Sequence, residues 1–522
     1  MDENKKDGSR KNLTRREFIK ATGGAAALTG VAASGLLMTA GNAEAAGIPK
    51  KWDAQTDVVV IGSGFAGLAA AIEAKEAGAD VVVLEKMRTH GGNSIINGGV
   101  MAVAGSDLQE EKGIKDTPDL MLEDMMKAGL YLNYPELAKM VAYQSRAAYD
   151  WCREHLGVKF TGAKMLLHMG GHTVARSCPT ANYSGSGIVN KELDKFKELG
   201  GTVSTGTYLE KLIQDASGRV IGVQVREGYR FPKADSGKIK YIKARKSVVL
   251  ASGGFSRDVA FRMGQDPKLT AEVNSTNQPG ATGEVLKEAL RAGGNPVQPS
   301  WIQLGPWASP DEKGFGLAPH FATGPVFSYG IMVDPKTGKR FISELANRKV
   351  RADAIIRTGH AAIGISDEEG SKTCGGPPTA LAKLLERGVV KKYDTLEDLC
   401  KAYDMPYAAV RESVDNYNSY LKTGVDKEFG RFLQPDAKPM GKAPFYAVRL
   451  WPKVHHTMGG VQIDSKAQVI DLDGKPIAGL FAAGEVAGGV HGAVRLGSAA
   501  VVDCLVFGRI AGKSAAAQKP WA

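Results

Sequence analysis

The sequence predicts an α/β fold built around a parallel sheet, and three observations predict it. Residues 57–85, DVVVIGSGFAGLAAAIEAKEAGADVVVLE, read as strand, glycine-rich turn, helix and second strand. From 51 to 304, β-branched runs alternate with amphipathic helical stretches, the pattern of βαβ units. The chain has 522 residues, 43% of them hydrophobic, which suffices for a large core and more than one domain.

The first unit is the most informative. Residues 58–61 are a short β-branched run, as a strand buried on both faces requires. Gly62, Gly64 and Gly67, with Phe65 and Ala66 between them, complete G-x-G-x-x-G. The first glycine permits the tight turn, the second lets backbone approach a pyrophosphate, and the third lets helix and strand pack closely. Residues 68–77 continue as a helix whose N-terminal N–H groups and dipole favour phosphate. Residues 81–84 form the second strand, and Glu85, followed by Lys86, stands where a ribose hydroxyl is held. A Rossmann-like dinucleotide site follows. A second glycine-rich turn comes soon after, with Gly92, Asn93 and Ser94 and then Gly98 and Gly99. Backbone that must pass close to a long cofactor suits FAD better than a nicotinamide.

Further along, 118–156 reads as mostly helical, broken before Pro135, with Thr117 as N-cap and Pro118 at the first helical position. Residues 202–225 and 240–250 read as strands with a hairpin. Residues 305–328, rich in Gly, Pro and aromatics, read as an irregular loop lining something, and 331–340 as a hairpin. Residues 350–363 and 396–421 read as helices.

These motifs resemble the fumarate reductase/succinate dehydrogenase flavoprotein family, in its soluble, flavocytochrome c-like branch without the haem domain. The resemblance is carried by 91–94 (GGNS), 98–99, 249–255 (VLASGGF), 281–284 (ATGE), 455–460 (HHTMGG) and 479–512, and it covers nearly all of the chain after residue 52. It implies a Rossmann-like FAD-binding domain with an inserted α+β capping domain. The boundaries are a signal peptide at 1–45, the FAD domain at 52–304 and 455–516, and the cap at 305–454. It implies FAD contacts at Gly254, Glu485, Ser498 and Ala499, with Glu485 on the ribityl side. Arg495, in VHGAVRL, matches the arginine that binds the substrate carboxylate, and guanidinium geometry suits a bidentate grip. His455 matches the substrate-binding histidine, and Glu344 and Gly459 join the substrate contacts. Arg348 takes the position of the proton donor, although a guanidinium is a reluctant acid.

The departures also inform. At 494, 498 and 499 the chain has Val, Ser and Ala where the family commonly has Asn, Gly and Asn. Gly305 stands where fumarate-type members place a histidine for a second carboxylate, and 322–329 (ATGPVFSY) lacks the family's relay carboxylate. Trp301, Trp307, Phe315, Phe321, Phe327 and Tyr329 crowd the region instead, as cavity lining or as cap core. An unsaturated monocarboxylate of acrylate, methacrylate or arylacrylate type is therefore favoured over fumarate. Gly92 occupies the place of the histidine that carries covalent FAD, so the cofactor is expected to be non-covalent.

Net charge is +11, and the first 45 residues hold seven Lys/Arg against five Asp/Glu. Basic residues are spread, with no run interleaved with aromatics, so no nucleic-acid partner is expected. Residues 14–20 (TRREFIK), the apolar stretch 21–40 and Ala43-Glu44-Ala45 form a twin-arginine signal with a cleavage site. This predicts a periplasmic protein that does not span the membrane when mature. Five cysteines include no CxxC and no CxxCH, so no haem, iron–sulfur or other metal site is expected. Electrons must then come from a separate polypeptide, for which a c-type cytochrome is the natural donor. The expected activity is FAD-dependent hydride transfer to a C=C bond conjugated to a carboxylate. A flavin dehydrogenase or oxidase of ketosteroid or amino-acid type, or a non-catalytic electron-transfer flavoprotein, are the alternatives.

Overall fold

Strand β1 (Ala54–Ile61) forms the axis of the main sheet, its Val58, Val59 and Val60 fully buried. A computed structural model describes residues 48–521; the expected twin-arginine segment lies outside them. The turn after β1 leads into α1 (Phe65–Glu76), buried along most of its length and apolar on every face up to Ile72, as a helix sandwiched within a core should be. β2 (Val81–Glu85) returns parallel to β1, with Val58 opposite Val81 and Ile61 opposite Leu84. β3 (Thr202–Thr205) extends the sheet beyond β2. β4 (Thr207–Gln214), β5 (Val220–Glu227) and β6 (Lys238–Leu250) follow as an antiparallel meander. The end of β6 lies parallel to β1 and carries the chain back to the ligand-facing edge.

α2 (Pro118–Ala128) and α3 (Pro135–Asp150) are the two halves of the long helical stretch. Thr117 caps α2 by accepting the Leu120 N–H at 3.1 Å, and Pro118 sits where no N–H is needed. The last turn of the stretch, Trp151–His155, widens to π geometry.

A second sheet belongs to the middle of the chain. β7 (Ile302–Gly305) leads towards it; β8 (Ile331–Val333), β9 (Ala362–Ser366), β10 (Val390–Tyr393) and β11 (Phe445–Leu450) form it in the order β8-β9-β11-β10, all antiparallel. Alternate residues face two apolar clusters. Tyr446, Val448 and Leu450 pack with Phe321 and Phe327, whereas Phe445 and Ala447 pack with Leu399 and Tyr417. β12 (Lys453–Thr457) then pairs antiparallel with β7, and Gly305 stands directly opposite Lys453. β13 (Gln468–Ile470) and β14 (Pro476–Ala482) complete the main sheet, β14 lying parallel to the end of β6. Among the described residues no helix is long and apolar enough to cross a membrane.

Four expectations for the middle segment need correction. Residues 305–328 are not wholly irregular: Ala318–Phe321 is helical and Ala322–Ser328 continues with π geometry around Pro325. The 331–340 hairpin is a single bridge, Val333 to Arg340, because β8 takes β9 as its ladder partner instead. The helix expected over 350–363 is α4 (Arg348–Thr358); Gly359, at φ 77°, ends it in a left-handed cap, and 362–363 already belong to β9. The helical stretch over 396–421 is likewise two helices, Leu396–Ala402 and Tyr407–Thr423, parted before Pro406.

Candidate functional site

Two cavities at the carboxyl edge of the main sheet run into each other. Phe65, Asn93, Ser94, Glu485 and Cys504 line both. The inner one is floored by backbone, where the β1–α1 turn meets 251–253, 280–282 and 483–484. Gly62 takes φ 107°, and a Cβ on Gly67 would lie 2.0 Å from the Gly62 carbonyl, so the turn and the helix can approach only without side chains. Glu85 accepts from the Ser63 hydroxyl at 2.6 Å and from the Met87 N–H at 2.8 Å. These bonds fix the carboxylate at the end of β2, on the rim of the cavity. Lys86 reaches Glu284 at 3.3 Å, and burial lowers its ammonium below the usual lysine range despite that partner.

The expected cofactor residues divide accordingly. Gly62, Gly64, Phe65, Ala66, Glu85, Lys86, Gly92, Asn93, Ser94 and Glu485 line the inner cavity, and Gly98 and Ser498 line the outer one. Gly67 acts behind the wall. Gly99 and Gly254 also stand behind it, packed on Ser184 and on Thr457 with Glu485. Ala499 is fully buried at the start of α5 (Ala499–Ala516). Glu485 is held by the Thr457 N–H at 2.9 Å and hydroxyl at 3.1 Å; burial nevertheless pushes its carboxyl up.

The outer cavity gathers Arg348, His455 and Arg495. Their chain positions are far apart, and the antiparallel β7–β12 pair brings them together. Gln303 on β7 stands opposite His456 on β12, donates to the Arg495 carbonyl at 2.8 Å, and faces an Arg348 guanidinium N–H at 3.5 Å. His455 is oriented by the Thr276 hydroxyl, 2.8 Å from its Nδ1. Its ring meets Trp307 edge-on at 4.7 Å, and the Arg348 guanidinium lies 5.8 Å from the same indole. Burial, then Arg495 and Arg348, hold His455 well below the usual histidine range, so its imidazole is neutral at pH 7. Burial lowers Arg495 to about 10, against the pull of Glu485. Arg348 is lowered well below the usual arginine range by burial, then by Arg495 and Arg351.

Two expected substrate residues are not brought to this cavity. Glu344 is fully buried in an ion cluster, bound by Arg340 at 2.7 Å and Arg431 at 3.1 Å and accepting from the Met332 N–H. Its charge is spent on those partners. Gly459 packs on the Gln298 carbonyl, where a Cβ would come to 2.2 Å. Of the six aromatics, Trp307, Phe315 and Phe327 line the cavity, Phe321 lies in the cap core, Tyr329 donates to Asp436, and Trp301 is half-buried outside the cavity lining.

Sequence reasoning missed Arg351, Thr276 and Gln303. Arg351 had a signal, since it lies three residues after Arg348 on one helix face. It also missed the support beneath Arg495. Arg176 binds Asp116 in a fork at 2.9 Å and Asp124 at 2.6 Å, and donates to His172 Nδ1 at 3.2 Å. Arginine can only donate, so His172 Nδ1 accepts and its Nε2–H donates to the Gly497 carbonyl at 2.9 Å. This chain of bonds pins the 495–498 turn. Ser498 stands in that turn at φ 60°, held by the Ser177 hydroxyl at 2.6 Å.

None of the three arginines has a carboxylate within 4.0 Å among the described residues, and the Nε atoms of Arg351 and Arg495 have no hydrogen-bond partner. Enclosed cations left in this state hold an anion. The backbone-floored cavity beside them suits an extended, phosphate-bearing cofactor.

Comparison with known proteins agrees. The model of the FAD binding domain family matches residues 57–501. An acrylate reductase flavoprotein subunit of Shewanella woodyi is 44% identical over 510 residues, covering 96% of this chain and 98% of that protein. A fumarate reductase (cytochrome) of Shewanella frigidimarina is 37% identical over 466 residues, covering 88% of this chain and 77% of that protein. The open conformation of a flavocytochrome c3 fumarate reductase superposes with a TM-score of 0.71 at 32% identity, over 98% of this chain and 82% of that one. With its dinucleotide turn, its cationic cavity and these relatives, the chain belongs to the FAD-binding flavoprotein family of the fumarate and acrylate reductases and is an FAD-dependent oxidoreductase.

Proposed function

We propose that this protein reduces the C=C bond of an unsaturated monocarboxylic acid of the acrylate type. The observation that carries this reading is the group of enclosed guanidinium ions without a carboxylate partner beside a cofactor-sized cavity. Preference for a monocarboxylate rests on Gly305, where the indole of Trp307 fills the space a side chain would need, and on the resemblance to an acrylate reductase subunit.

FAD supplies hydride chemistry at the cavity. The chain's own residues do the rest. Arg495 grips the substrate carboxylate with its guanidinium fork, and neutral His455, held by Thr276, completes the grip. Fixed positive charge stabilises the carbanion character that develops next to the carboxylate. Arg348 holds a proton on its guanidinium and delivers it to the α-carbon; its depressed affinity for that proton makes it a better acid than free arginine. Trp307, Phe315 and Phe327 keep water out.

The cofactor is held without a covalent link, with Gly92 at the place of the linking histidine. The protein works in the periplasm, after export through its twin-arginine segment, and takes electrons from a separate c-type cytochrome. The word subunit in the name of the Shewanella woodyi relative supports a separate electron donor.

The test is anaerobic turnover with reduced viologen against acrylate, methacrylate, cinnamate, urocanate and fumarate. Monocarboxylate activity is expected. Activity on fumarate alone would refute the monocarboxylate reading, and silence on all five would refute the reductase.

A further inference from the structure

In the chemistry above Arg351 only helps to lower Arg348 and is given no contact with the substrate. It is 5% exposed and lines the outer cavity one helical turn from Arg348. Its guanidinium lies over the face of Phe327, 4.5 Å from the ring centroid, and its Nε donates to nothing. The carboxylate beside α4 does not neutralise it, because Glu344 is consumed by Arg340 and Arg431. A cation–π contact offsets only part of the cost of enclosing such a charge.

Its place gives it meaning. Arg348 reaches the 495–498 turn, where its guanidinium lies beside Gly497, whereas Arg351, one helical turn further along α4, has its guanidinium beside Gly170. Arg351 therefore lines the cavity one helical turn from the arginine that adjoins the carboxylate grip. A substrate with its carboxylate on Arg495 and its double bond at Arg348 points its β-substituent towards Arg351, Phe327 and Thr323. Trp307 meanwhile closes the space at Gly305, so a second anion has no room there.

We propose that Arg351 and Phe327 form a distal subsite for the β-substituent, and that the preferred substrate is an elongated enoic acid whose far end carries an anionic group. This rests on the reductase reading above and extends its substrate class from simple acrylate-type monocarboxylates to acids with a second, distal anion.

The experiment compares 4-carboxycinnamate with cinnamate, identical except for the distal carboxylate, using the flavin-loaded protein. The wild type is expected to show the higher kcat/KM on 4-carboxycinnamate, chiefly through KM. In Arg351→Met the ratio of the two kcat/KM values is expected to fall about tenfold or more, as loss of a charge-assisted contact should produce. Damage to the fold would slow both substrates alike and leave the ratio unchanged, which overturns the proposal. A wild type that prefers cinnamate overturns it without any variant. Failure on every unsaturated acid refutes the reductase reading instead.

Discussion

Trp307 packs its indole edge-on against His455 at 4.7 Å and covers Gly305 so closely that a Cβ there would come to 2.9 Å from the ring. One side chain thus both supports the proposed substrate-binding histidine and fills the space beside Gly305. Gly305→His forces the indole off His455. Activity on a monocarboxylate is expected to drop about tenfold or more, as misplacement of a positioning group does. Initial rates with acrylate would check this, and an unaffected rate would show that the pair is dispensable.

Arg348→Ala removes the proposed proton donor from the outer cavity and leaves the lining of the inner cavity unchanged. Turnover should fall roughly 10²–10⁴-fold while flavin absorbance per protein stays at the wild-type level. Residual activity above about a tenth would take Arg348 out of the mechanism.

His172 links pH to stability. Burial, then the Arg176 charge, lower its imidazole to about 3, and Asp124 and His168 are its other charged or titratable neighbours. Its unfolded value is the ordinary 6.5, so between these limits the unfolded chain binds more protons than the folded one. Stability from this group is therefore full above pH 6.5 and is lost as pH falls towards 3. His172→Asn should flatten the dependence of Tm on pH in that window; an equally steep profile would assign the acid sensitivity elsewhere.

Gly67→Ala places a methyl 2.0 Å from the Gly62 carbonyl and levers α1 off β1. The variant should purify without flavin and gain little Tm on added FAD. A yellow protein with wild-type flavin content would contradict the close-packing role.

Much of the FAD side was legible because one local stretch carries it. The β1–α1–β2 unit shows its period, its turn and its terminal acid within residues 57–85. The substrate side was legible only through resemblance, since Arg348, His455 and Arg495 meet by β7–β12 pairing that no local pattern reveals. Glu344 was misplaced because sequence shows a charge but not which partner spends it. The turns after Leu317 were obscured by Pro319, Gly324 and Pro325, residues that ordinarily break helices and here mark a widened one. Ser498 was flagged as a departure from glycine, but its φ of 60° and its bond to Ser177 could be seen only in the fold.

Gly305 and Lys453 are cross-strand neighbours, so the chain leaves the β7–β12 ladder and re-enters it at one point. The intervening 147 residues are, in connectivity, a single enormous hairpin loop. Such an excursion can be exchanged as a cassette: a cap from a relative, spliced at these two positions, would bring new pocket walls and its own counterpart of Arg348 while leaving the dinucleotide cradle, His455 and Arg495 where they are. Evolution of substrate range in this architecture then requires only two splice points rather than a rebuilt fold.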